Sequence, residues 1–283
     1  MARAARMRRV AKDEPSLPNT EPSLFTVGNP PDQRRIAFRR RAPARTTAYG
    51  DPDLVWLCGY RSDMDSTKAS ALDEEAGRLG LGLLRFDYSG HGRSSGRLAE
   101  GTISRWLEEA LAVIQAQTRG PQILIGSSMG GYLALLAARA LNAAEPGRVA
   151  GLVLIAPAVD FTEALIWEAA GEDARRAILE KGEWRRPSAY SDEPDIFTRA
   201  LIEDGRKHLL FGGMIRTHCP TIVLQGMCDE AVPYAHALKL MERLGGDPAT
   251  LTLVKDGDHR LSRPQDLALL FDAVERMQEA ARG

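Results

Sequence analysis

What this chain has little of narrows the search first. Three cysteines in 283 residues, Cys58, Cys219 and Cys228, are too few and too scattered for a disulfide framework or a zinc site, and they fit a reducing compartment. No apolar run approaches the roughly 18 residues of a membrane span, which argues against stable membrane insertion. Charge of one sign is lacking too. With 37 Lys and Arg against 38 Asp and Glu, net charge gives no reason to expect nucleic acid as a partner. Gly90-His91-Gly92 lacks the third glycine of a dinucleotide fingerprint, and no phosphate loop or metal cluster stands out. Neither a cofactor nor a metal is expected. What remains, 44% hydrophobic and 27% charged residues, is an ordinary globular balance over a length that suits one large α/β domain with an insertion.

The charge that exists is unevenly placed. Residues 1–50 hold eleven Lys and Arg against four Asp and Glu. Met1–Lys12 is rich in Arg and Ala without an apolar core, so it is no secretory signal peptide. Its arginines spread around a helical wheel rather than along one face. Pro15–Pro31 holds five prolines and reads as loop. Residues 1–33 are therefore expected to form an Arg/Pro-rich flexible segment ahead of a domain over 34–283. A cytoplasmic protein is expected, or one of the mitochondrial matrix if the basic start acts as a transit segment.

From Leu54 onward, short apolar runs alternate with helical patterns, which predicts an α/β fold with a mostly parallel sheet flanked by helices. Strands are expected at Leu54–Cys58, Leu81–Phe86, Gln122–Ile125, Val149–Ala156, Thr221–Gln225 and Thr250–Val254. Arg34–Arg41 reads as an edge strand, because its alternation is weak and its charge high. Helices are expected at Lys68–Arg78, at Ile103–Gln117 with Thr102 as N-cap, at Tyr132–Leu141 and at Pro264–Ala280. Between Ala158 and Cys219 the rhythm breaks. Some sixty residues there show helical pieces but no convincing strand, and a stretch that long inside a compact domain is usually functional.

Gly126-Ser127-Ser128-Met129-Gly130 lies between an apolar run and a helix that is apolar nearly all round. This is G-x-S-x-G in strand–turn–helix context. A nucleophile on so sharp a turn needs small neighbours, and Gly126 and Gly130 remove the Cβ atoms that would clash. Ser128 then stands at a helix N-terminus, where free N–H groups favour developing negative charge.

A serine hydroxyl needs a base, and the base needs an acid to orient it. Of five histidines, His259 alone follows the last strand; His91 sits in a turn better explained as structural, His208 and His218 in the insertion, and His236 on a helix after Pro233. The acid should follow the preceding strand, where Gln225-Gly226-Met227-Cys228-Asp229-Glu230 offers two carboxylates. Asp229 is preferred, because Gly-x-x-Asp-x-x-Val-Pro recurs at this point in such enzymes, and Glu230 reads as a solvated neighbour. The oxyanion needs backbone donors, expected from Met129 and from Tyr60 after Gly59, with Arg61 as the alternative to Tyr60.

These elements resemble the α/β-hydrolase superfamily over roughly residues 35–283. Several strings are similar, more closely, to the mitochondrial acyl-protein thioesterases and acyl-glucuronide esterases of the α/β-hydrolase-domain group and their bacterial relatives. They are Gly59-Tyr60-Arg61-Ser62-Asp63-Met64 with Thr67-Lys68-Ala69, Arg85-Phe86-Asp87-Tyr88-Ser89-Gly90, and Asp258-His259-Arg260. Within the insertion, Lys181-Gly182-Glu183-Trp184, Pro187-Ser188 and Tyr190-Ser191 add to the likeness. The resemblance carries the nucleophile onto Ser128, the acid onto Asp229 and the base onto His259, and implies acyl ester or thioester substrates, S-acylated proteins among them. The Arg-rich first fifty residues depart from it.

The insertion at about 158–219 is expected to form a lid over the carboxyl ends of the strands, with Trp167 and Trp184 as candidate acyl-binding residues. The same scaffold also carries acyltransferase, lyase or peroxidase chemistry, and an inactive copy would serve as a binding module. A missing triad member would mark the last, and none is missing.

Overall fold

Leu54-Val55-Trp56-Leu57 offers nothing polar to water, and such a run is stable only when both faces of the strand are covered. The computed structural model describes residues 21–44, 51–188 and 193–282. Its main sheet contains β1 (Ser23–Val27), β2 (Arg34–Arg41), β3 (Asp53–Leu57), β4 (Leu83–Phe86), β5 (Gln122–Ser127) and β6 (Val149–Ile155). After β7 (Glu183–Arg186) and β8 (Asp195–Thr198), which pair only with each other, β9 (Thr221–Gly226) and β10 (Ala249–Val254) complete it. The order is β1-β2-β4-β3-β5-β6-β9-β10. β1 and β2 run antiparallel to their neighbours, and the pairs from β4 to β10 are parallel.

The helices are α1 (Thr67–Leu79), α2 (Ile103–Gln117), α3 (Met129–Ala144), α4 (Glu172–Arg176), α5 (Arg199–Gly205), α6 (Tyr234–Arg243) and α7 (Pro264–Arg282). Thr102 caps α2 as expected, its hydroxyl accepting the Arg105 N–H at 3.2 Å. Below it, Ile103, Trp106, Ala110, Val113 and Ile114 form the buried stripe. α3 is buried nearly all round, beside α2 and against β5 and β6. Among the described residues no helix is long and apolar enough to cross a membrane.

Two expectations from the first 41 residues need correction. Ser23–Val27, inside the stretch read as a flexible loop, is strand β1 and pairs with β2 from Ser23↔Phe38 to Val27↔Arg34. β2 is therefore not an edge strand but lies between β1 and β4. Its arginines mislead because three of the five, Arg34, Arg39 and Arg41, reach carboxylates elsewhere in the fold. Arg41 meets Asp73 at 2.7 Å, Arg39 meets Asp65 at 3.0 Å, and buried Arg34 meets Glu109 at 3.0 Å as well as Glu108 and Asp32. The segment Met1–Lys12 lies outside the described residues.

Glu109 is fully buried, so its carboxylate depends on Arg34 and on the Ser89 N–H that it accepts at 2.8 Å. Removing one partner of a buried pair strands the other charge. Arg34→Met should therefore cost about 3–5 kcal/mol in urea unfolding, far more than the surface pair Arg199–Glu203 could. A loss below about 1 kcal/mol would mean that Ser89 and water suffice for Glu109.

Candidate active site

Every residue singled out for chemistry follows the carboxyl end of a parallel strand: Gly59 after β3, Ser128 after β5, Asp229 after β9 and His259 after β10. That edge is where α/β sheets open to ligands. Ser128 has φ 56° and ψ −118°, a conformation that ordinary side chains avoid, and its N–H donates to Ile155 O at 2.8 Å. The glycines explain how the turn is tolerated. A Cβ on Gly126 would stand 2.3 Å from Gly130 O, and one on Gly130 would stand 2.0 Å from Leu57 O.

The two distal loops pass each other equally closely. A Cβ on Gly226 would lie 2.3 Å from Gly257 O, and the Cys228 N–H donates to that same carbonyl at 2.9 Å. This crossing brings His259 to Asp229. The His259 Nδ1–H donates to Asp229 Oδ2 at 2.8 Å, which leaves Nε2 to accept from the Ser128 hydroxyl at 3.1 Å. Asp229 is buried, and its other oxygen accepts the N–H groups of Ala231 and Val232 at 2.9 and 2.8 Å. Glu230 is exposed, on the solvent side of the same turn.

The remaining histidines go elsewhere. His91 is buried, edge-on to Tyr60, Tyr88 and Trp106, and burial pulls its ring down to about 4, so it stays neutral. Its turn is held by Asp87, whose carboxylate accepts the N–H groups of Met64 and Arg93. His208 pairs with Ser104 at 2.7 Å, and His236 with Val159 O at 2.8 Å.

Beside Ser128, the turn after β3 presses in. A Cβ on Gly59 would lie 3.4 Å from Ser128 Cβ. The Ser62 N–H donates to Gly59 O at 3.1 Å, closing the turn around Tyr60 and Arg61. Among the described residues, neither the Tyr60 N–H nor the Met129 N–H is given to a backbone carbonyl. Met129 opens α3 and has no helical carbonyl four residues back.

A cavity of about 480 Å³ holds Ser128 and His259. Its lining includes apolar Phe161, Leu165, Ile166, Phe197 and Val232 and the basic residues Arg61, Lys68, Arg186 and Arg260. The two tryptophans expected to bind the acyl chain do not line it. Trp184 and Phe197 are register partners in the β7–β8 hairpin, with ring centroids 5.9 Å apart, and Phe197 is the one that reaches the cavity. Trp167 lies between the guanidinium groups of Arg175 and Arg206, 5.5 and 5.0 Å from its ring centroid.

Two contributors escaped the sequence reading. Gln225 is fully buried and donates to Asp229 Oδ2 at 3.0 Å. Lys68, at the start of α1, donates to Arg260 O and to Ser262 Oγ beside the His259 loop. Burial pulls its ammonium down to about 8. For Gln225 the signal was a polar residue at the end of an apolar strand, and for Lys68 its place in the string Thr67-Lys68-Ala69.

Residues 50–269 match the alpha/beta hydrolase family. The chain belongs to that family, and it is a hydrolase. It is 34% identical over 266 residues to the mouse "Palmitoyl-protein thioesterase ABHD10, mitochondrial", covering 92% of this chain and 88% of that one. The solved mouse α/β-hydrolase domain-containing protein 10 superposes with TM-score 0.79 over 91% of this chain and 98% of its own, at 33% identity. A putative hydrolase from Agrobacterium vitis S4 is nearer, with TM-score 0.87 and 52% identity over 91% of this chain and 98% of that one. The α/β-hydrolase fold expected from the sequence is thus the fold observed.

Proposed function

We propose that this hydrolase cleaves acyl thioesters and esters through an acyl-enzyme on Ser128, with His259 as base and Asp229 as the acid that orients it. The observation that carries this is the unbroken relay from Ser128 Oγ to His259 to Asp229, at 3.1 and 2.8 Å, opening into one cavity. Ser128 Oγ attacks the acyl carbonyl while His259 Nε2 takes its proton. The N–H groups of Tyr60 and Met129 receive the charge that forms on the carbonyl oxygen. The carbon–sulfur or carbon–oxygen bond then breaks, and His259 returns the proton to the leaving thiol or alcohol. Water, deprotonated by His259 in turn, releases the carboxylic acid and regenerates Ser128.

The relatives' printed name supports thioesters of S-acylated proteins as substrates, and the apolar wall supports an acyl chain. A series of p-nitrophenyl esters and acyl thioesters of rising chain length tests the assignment. No hydrolysis of any member would end it. The insertion 158–219 supplies Phe161, Leu165, Ile166 and Phe197 to that wall and acts in this reading as the lid. The printed name of the mouse thioesterase is that of a mitochondrial protein, which supports the mitochondrial alternative for the compartment.

Length preference has a numerical consequence. Burial of each CH₂ contributes about 0.8 kcal/mol, or roughly fourfold in kcat/KM. Phe197→Ala should flatten that dependence for longer chains while acetate esters change little. Trp184→Ala, whose ring packs beside Phe197 without lining the cavity, should lower thermal stability more than it changes the length profile. The reverse pattern would return Trp184 to the acyl wall.

A further inference from the structure

Tyr60 and Arg61 are consecutive, and both side chains are tied to one stretch of the insertion, residues 193–197 at the start of β8. The Tyr60 hydroxyl donates to Ile196 O, and its ring stacks on Phe197 with centroids 5.6 Å apart and planes at 18°. The Arg61 guanidinium donates to Glu193 O at 2.7 Å and Pro194 O at 2.5 Å, and lies 3.6 Å from Asp195. Five successive residues, Glu193 to Phe197, thus hang from a single turn.

The backbone of that turn is unusual for the residue it holds. Arg61 has φ 57°, a region that glycine occupies freely and arginine does not. Glycine there would relax the turn but would remove both carbonyl contacts. A side chain kept at a strained position points to a task for that side chain.

We propose that Arg61 is a positioning residue for the reaction. By fastening Glu193 and Pro194, it holds the turn Gly59–Ser62 so that the Tyr60 N–H stays aimed at the oxyanion, and it couples that donor to the Phe197 wall. This rests on the reading above, in which the Tyr60 N–H serves the oxyanion. The wall that senses the acyl chain and the donor that stabilises the transition state then form one mechanical unit. Arg61 touches neither the acyl carbonyl nor His259 in this account. Its effect runs through the backbone of Tyr60.

The test separates the tie from the strain and from the nucleophile. Arg61→Gly keeps the turn conformation accessible and removes the tie, whereas Arg61→Ala removes the tie and keeps the strain. Deleting a whole oxyanion donor costs about 10²–10³-fold. Loosening one should lower kcat by about tenfold or more in both variants, with KM nearly unchanged. Affinity for an alkyl trifluoromethyl ketone, whose adduct with serine carries the oxyanion, should fall in parallel with kcat/KM, while affinity for the matching fatty alcohol holds.

If Arg61→Ala does not fold, Tyr60→Phe, which loses only the bond to Ile196 O, carries the same comparison. Arg61→Gly with wild-type kcat and inhibitor affinity would overturn the proposal. So would equal losses for the ketone and the alcohol, because they would make Arg61 a support of the binding cavity alone. Fluorophosphonate labelling of Ser128 in the wild type checks the parent reading separately, since the two readings fail on different measurements.

Discussion

Ser128→Ala should lose at least about 10³-fold in kcat, with a melting temperature within about 2–4 °C of that of the wild type. The side chain removed is only partly buried and holds a single hydrogen bond, to His259, so little packing goes with it. Relief at the turn is not expected, because the strain lies in φ 56° and alanine inherits it. What goes is the only atom in this account that bonds to the acyl carbon. Residual turnover would come from the Tyr60 and Met129 donors and from binding. Peptide mass spectrometry after fluorophosphonate treatment should find the adduct on Ser128, and none on the alanine variant. An adduct on another serine, or an alanine variant that keeps wild-type turnover, would remove Ser128 from the mechanism.

Asp229→Asn is the second large effect, at about 10⁴-fold in kcat with little change in KM. The substitution keeps the size of a buried side chain but exchanges an acceptor for a donor. With Asp229, two backbone N–H groups hold Oδ1 in place, and Oδ2 faces both Gln225 and His259 Nδ1. Asparagine keeps its oxygen on the Ala231 and Val232 N–H groups, which turns its NH₂ towards His259. The imidazole then presents Nε2–H to Ser128 and cannot take its proton. Glu230→Gln, one residue on and exposed, should leave kcat within about twofold, as surface changes usually do. A larger loss at Glu230 than at Asp229 would reverse the assignment of the acid.

The candidate triad was legible because each member sits in a short string with its own local logic. Gly126 and Gly130 announce a turn with no room for Cβ, since a Cβ at either position would stand 2.3 or 2.0 Å from a backbone oxygen. The apolar runs around them were equally readable, since a strand covered on both faces tolerates almost nothing polar. Thr102 before Ile103 marked the start of α2 for the same kind of reason, a cap whose bond spans three residues.

Reading failed where the partner is distant in sequence. β2 looked like an edge because its arginines seemed to need solvent, whereas Arg34 finds Glu109 75 positions later. The β7–β8 hairpin was invisible because Glu183-Trp184-Arg185-Arg186 has one apolar residue, and its pairing with Asp195–Thr198 is what makes it a strand. Trp184 and Phe197 could not be ranked either, since the pairing sets them side by side and only the packing of the hairpin decides that Phe197 is the one lining the cavity.

By itself, then, the sequence determined the parallel sheet, the nucleophile turn and the candidates for the acid and the base. These depend on periodicity, glycine and strand ends, all local quantities. Tertiary structure alone decided which apolar residues line the cavity, that β1 covers β2, and that Tyr60 and Arg61 bond to the insertion. β1 meets β2 within about 15 positions, but the ties from Arg61 to Glu193 and from Tyr60 to Ile196 span 130 residues and more. Contacts of that span are set by how the elements pack and leave no period in the chain to be read.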